Sequence, residues 1–170
     1  MTFVPVSYPA DKSARYEEIL AQASALMEGE SHPIVHLANI SALLYHALGG
    51  VNWCGFYLLN EGSLLLGPFG GLPACMRIPL NRGVCGKAAR TDTVQRIDDV
   101  HAFPGHIACD SASNSEIVIP LHHDGQVIGV LDIDSPQLSR FDDTDEHSLR
   151  ELALKIEKSC DWSNVNYSLS

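Results

Sequence analysis

Cys109 stands in GHIACDSASNS, residues 105–115, a stretch of small and polar residues that ends where Glu116 opens an apolar run. A thiol in such a loop is positioned to react. Two further cysteines lie upstream, Cys75 in PACMRIP and Cys85 in RGVCGKAA, and downstream the run VIGVLDIDS carries Asp132 and Asp134. Three thiols and three carboxylates suggest redox chemistry on a small, positively charged ligand.

The elements that must position these groups follow from periodicity and punctuation. Residues 12–28 carry apolar positions at Ala14, Ile19, Ala23 and Leu26 behind a capping Asp11 and read as a helix. A second helix spans about 33–48 and stops at Gly49-Gly50. Strands are expected near 51–59, 63–68, 74–80, 93–98, 116–122 and 126–134, with hairpin turns at NEGS and HDGQ. A short helix, VCGKAART, follows Asn81-Arg82-Gly83, and an amphipathic helix from Asp142 to Lys158 closes the fold with acidic residues in its first turn. Alternation sets Trp53, Gly55 and Tyr57 on one strand face, and Cys54 with Phe56 on the other, where Cys54 reads as a small core residue. Cys160 lies at the end of the last helix beside a polar tail and is given no function. The class is α+β: one antiparallel six-stranded sheet, helices packed mainly on one face, and a long active-site loop from Asp99 to Ser115 on the other.

Composition excludes several function classes. With 170 residues, 45% of them hydrophobic, the chain fits one domain with a sizeable core, expected over 1–170 with a polar tail from about 161. A formal charge of -10 with scattered Lys and Arg speaks against nucleic-acid partners. No apolar run approaches the roughly 18 residues of a membrane span, and the N-terminal residues lack a signal-peptide pattern, so no membrane association and a cytoplasmic location are expected. Five cysteines in a reducing compartment point to catalytic, redox or metal roles rather than a disulfide scaffold.

The segments GPFGGLPACMRIPLNRGVCGKAA, HAFPGHIACDSASNSEIVIPL and QVIGVLDIDSP together resemble, in order and spacing, the free methionine-(R)-sulfoxide reductases, which are small GAF domains. The similarity runs from the second helix through the last. Generic GAF domains share the sheet but lack this cysteine set, so the thiols separate enzyme from sensor. The competing reading is a small-molecule-binding GAF sensor module without catalysis.

The resemblance implies reduction of free L-methionine-(R)-sulfoxide, electrons returned by thioredoxin, no cofactor, and a homodimer. It makes Cys109 the nucleophile, which takes oxygen as a sulfenic acid, and Cys75 the resolving thiol of an intramolecular disulfide. Cys85 is the reserve. Its place near a helix start, where the dipole favours a thiolate, leaves it open as nucleophile on the residues alone. The resemblance also sets Trp53 and Tyr57, otherwise plain core aromatics, in the walls of a pocket around the methyl-sulfoxide group.

The chemistry can be built independently. A sulfoxide sulfur becomes electrophilic once its oxygen is protonated or strongly hydrogen-bonded, so its reduction needs a thiolate at sulfur and an acid at oxygen. Glu116, Asp132 and Asp134 are the candidate acids. Crowded carboxylates repel when all are ionised, which raises at least one pKa and leaves charge to hold an amino group. As a metal site, His101, His106, Cys109 and Asp110, with His122 and His123, match no familiar zinc spacing, so none is expected. Neither a GxGxxG nor a GxxxxGK[ST] element is present to bind a nucleotide.

Overall fold

A computed structural model describes residues 6–107 and 110–164. Helix α1, Lys12–Met27, starts at Asp11, whose carboxylate accepts from Ala14 N at 2.9 Å. The buried face is Tyr16, Ile19, Ala23 and Met27, with Ala14 and Leu26 only half buried. The stripe is thus turned slightly from the expected one, because the larger Tyr16 and Met27 take the core positions. Helix α2, Pro33–Ala47, has proline in its first turn, where a missing N–H costs nothing, and buries Leu37, Ile40 and Leu44.

Six strands form one sheet: β1 Trp53–Asn60, β2 Ser63–Gly71, β3 Arg77–Pro79, β4 Gln95–Ile97, β5 Ser115–His123 and β6 Gln126–Ser135. Their order is β3-β2-β1-β6-β5-β4, and every neighbouring pair is antiparallel. Both tight hairpins turn through two residues of positive φ, Glu61-Gly62 and Asp124-Gly125, whose twist matches that of the flanking strands. Two strands are shorter than expected. The 74–80 segment pairs only over 77–79, leaving Ala74 and Cys75 in a loop behind Pro73, and the 93–98 segment pairs over 95–97.

The sheet has a core on each face. On one, Cys54, Phe56, Ile117, Ile119, Leu131 and Ile133 pack against α1, α2 and helix α4, Asp143–Ser159. Helix α4 opens with a reciprocal capping box between Asp142 and Asp145. Asp145 is fully buried and also accepts from Tyr16 Oη at 2.8 Å and pairs with Lys12 at 2.6 Å, tying α1 to α4.

On the opposite face lies helix α3, Gly83–Thr91, with Val84, Cys85 and Ala88 against Tyr57, Val118 and Val130. Gly83 begins it at φ 71°, a conformation that favours glycine. Gly86 lets the helix settle on the β3 end, for a Cβ there would meet the Pro79 carbonyl oxygen at 2.6 Å. Trp53 and Tyr57 face this second core and Cys54 the first, as the alternation requires. Among the described residues no helix is long and apolar enough to cross a membrane.

Candidate active site

Cross-strand register converts three distant carboxylates into neighbours. Glu116 on β5 pairs with Asp134 on β6, and Asp132 pairs with Val118 on one side and Gly55 on the other. Asp132 and Asp134, two apart, share the α3 face of the sheet. All three line one pocket with Trp53, Tyr57 and Cys85, a space of about 430 Å³ including its mouth.

Its aromatic wall is built on β1. Trp53 stacks on Tyr57 at 5.8 Å between centroids and on Phe69 at 5.4 Å. The stack needs a glycine between the two rings, because a Cβ on Gly55 would lie 2.3 Å from Phe69 Cβ. Trp53 donates its indole N–H to Leu72 O at 3.1 Å, and the Tyr57 hydroxyl donates to Cys75 O at 3.0 Å. The wall therefore also anchors the loop that carries Cys75.

At the floor the carboxyls are almost dry: Glu116 is 5% exposed and Asp132 6%. Burial, then the charges of Asp132 and Asp134, pushes the Glu116 carboxyl well above the ordinary range. Asp134 rises well above it as well, through burial and then Asp132 and Asp110. Asp132 rises to about 6 through burial, restrained by hydrogen bonds with Cys85 and Glu116. The group is thus uneven, with Glu116 and Asp134 driven up strongly and Asp132 raised less. Asp132 Oδ1 is buried without a hydrogen-bond partner.

Cys85 donates its thiol to Glu116 Oε1 at 3.8 Å. Its position near the start of α3 does not yield a thiolate. Burial and the adjacent Asp132 and Glu116 push the thiol well above its usual value, outweighing the dipole. Cys54, Cys85 and Cys160 are free thiols, whereas Cys75 is disulfide-bonded. Cys109 lies outside the described residues; Ile107 and Asp110, on either side of it, both line the pocket.

Several residues in or beside the pocket carried no such role in the sequence. His106 brings Nε2 to 3.9 Å from Glu116 Oε2, and burial followed by the His101 charge lowers its pKa. Asn52 donates to Asp110 Oδ2 at 2.8 Å and to Ser113 Oγ at 3.0 Å, pinning the long loop to the start of β1. Among the described residues the donors close enough to share a metal ion are Cys85, Glu116 and Asp132, not the loop histidines weighed from the sequence.

The GAF domain family matches residues 33–159. The free methionine-R-sulfoxide reductase of Escherichia coli is 55% identical over 148 residues, 87% of this chain and 90% of the relative. This chain belongs to the free methionine-(R)-sulfoxide reductase family of GAF domains. The Saccharomyces cerevisiae member is 41% identical over 158 residues, 88% of each chain. The structure of the Neisseria meningitidis reductase in complex with its substrate superposes with a TM-score of 0.89 at 45% identity, covering 93% of this chain and 95% of that one.

Proposed function

We propose that this chain reduces free L-methionine-(R)-sulfoxide to L-methionine with a thiol as electron donor. The observation that carries the reading is the pocket, where three carboxyls of raised proton affinity, Asp132 the least raised, face a wall of stacked aromatics. A zwitterionic amino acid with a short polar sulfoxide tail suits that combination. Asp132 holds the ammonium, Trp53 and Tyr57 pack on the methyl-sulfoxide end, and Glu116 or Asp134 gives a proton to the sulfoxide oxygen.

The Cys109 thiolate then attacks the substrate sulfur. Oxygen passes to the cysteine, methionine leaves, and Cys109 becomes a sulfenic acid: the substrate sulfur gains two electrons and the cysteine sulfur loses two. The Cys75 thiol displaces water from the sulfenic acid to give a Cys75–Cys109 disulfide, which a dithiol such as thioredoxin reduces. The pairing is supported by Cys54, Cys85 and Cys160 being free while Cys75 is not. The high pKa of Cys85 speaks for Cys109 as nucleophile. A thioredoxin donor fits a cytoplasmic location.

Incubation with racemic free methionine sulfoxide and dithiothreitol tests this. Methionine should accumulate until the (R) form is exhausted and the (S) form remains. Absence of methionine, with the sulfoxide merely bound, would replace the enzyme with a sensor.

A further inference from the structure

Cys85 Sγ and one carboxylate oxygen each from Glu116 and Asp132 lie within 4.8 Å of one another, and all three residues are buried. A tetrahedral zinc ion with bonds of about 2.3 Å to sulfur and about 2.0 Å to oxygen sets those donors about 3.5 Å apart. Cys85 Sγ and Glu116 Oε1 already stand at 3.8 Å. For that pair the difference is a few tenths of an ångström.

A second feature points to a cation independently. Asp132 is 6% exposed and lines the pocket, yet its Oδ1 is buried with no hydrogen-bond partner. An anionic oxygen in that position is costly until a donor or a cation reaches it. The three donors come from α3, β5 and β6, and the seating of Gly86 against Pro79 fixes the helix that carries the sulfur. The donor set is therefore held by the scaffold rather than by a loop. All three donors line the pocket, so a water entering from it can complete the tetrahedron.

We propose that this chain binds one thiophilic divalent cation, of the zinc class, through Cys85, Glu116 and Asp132, and that the bound ion closes the pocket to small-molecule ligands. The thiol proton leaves to solvent as sulfur binds. A thiolate ligand selects zinc, cobalt or cadmium over magnesium and calcium, which take oxygen donors. Because the ion occupies the carboxylates themselves, it is an inhibitor and not a cofactor. Metal binding is independent of the proposed reduction and is measured without turnover.

The test is a Co2+ titration of the disulfide-bonded protein, in which Cys75 is not available as a ligand. One equivalent should produce a thiolate-to-cobalt charge-transfer band that Zn2+ bleaches and excess Mg2+ does not. Cys85→Ser should abolish the band, and Asp132→Asn should weaken Co2+ binding by about 100-fold, at least what loss of an outer hydrogen-bond partner costs a metal site. Cys54→Ser, on the opposite face of the sheet, should leave it unchanged. As a readout without variants, Zn2+ should slow alkylation of Cys85 relative to Cys160 in the unmutated chain, followed by peptide mass spectrometry. No band in the unmutated chain, a band retained by Cys85→Ser, bleaching by Mg2+, or unchanged Cys85 alkylation would each overturn the site.

Discussion

Glu116 on β5 stands directly across the ladder from Asp134 on β6, and both carboxyls face the same pocket. Two like charges at directly opposed positions destabilise a sheet, and the burial of Glu116 weakens the screening between them. The conflict raises the proton affinity of both: each carboxyl is pushed well above the ordinary range, while Asp132 is raised only to about 6. This uneven proton affinity is what the proposed roles of acid and ammonium seat rest on.

That division predicts different defects for isosteric variants. Glu116→Gln or Asp134→Asn, whichever removes the acid, should slow methionine release by roughly 10²- to 10⁴-fold, the usual range for general acid catalysis. Asp132→Asn should mainly raise the substrate concentration needed. Single-turnover rates measured against substrate concentration separate the two outcomes, and unchanged values in all three variants would exclude the cluster from the reaction.

Affinity should depend on pH with a defined sign. Asp132 is charged above about 6, so KM should rise as pH falls through that value and the ammonium loses its counterion. On the alkaline side kcat should fall as the acid is ionised. The pH profiles of kcat and KM recorded separately check this; a KM independent of pH between 5 and 8 would remove Asp132 from substrate binding.

Stability carries the same signature in the opposite sense to a salt-bridged carboxylate. The folded pKa of Asp132 lies above its unfolded value of 3.8, so the folded state holds the proton more tightly. Stability from this group is present below about 4 and lost as pH rises through about 6. Asp132→Asn should therefore stabilise the fold by on the order of 3 kcal/mol at pH 8, with the difference vanishing near pH 4. Urea denaturation at the two pH values measures it.

Substrate scope follows from the ammonium seat proposed at Asp132. Acylation of the amine removes its charge and adds bulk at a closed site. N-acetylmethionine sulfoxide and peptide-bound sulfoxide should be turned over far less efficiently than the free amino acid, a comparison of kcat/KM that equal values would contradict.

Much of this site was legible in the sequence because strand periodicity is exact over short distances. Asp132 and Asp134 had to share a face, the tight turn at Asp124-Gly125 brought Glu116 beside them, and alternation separated Trp53 and Tyr57 from Cys54. His106 and the Asn52 bridge to Asp110 and Ser113 were not legible, since they arise where an irregular loop crosses the sheet and no period governs it. Cys85 shows a second limit. Its local signal, a thiol at a helix start, was outweighed by burial against carboxylates from two other elements, which only the tertiary structure reveals.

The central claim is a thiol-driven reduction, and a rapid-quench experiment on fully reduced protein tests it without any recycling donor. Free L-methionine-(R)-sulfoxide in excess should give a burst of one methionine per chain and then stop. Cys75→Ser should retain the burst, and Cys109→Ser should abolish it while keeping the fold. A burst surviving in Cys109→Ser, or none from the unmutated chain, would contradict the account.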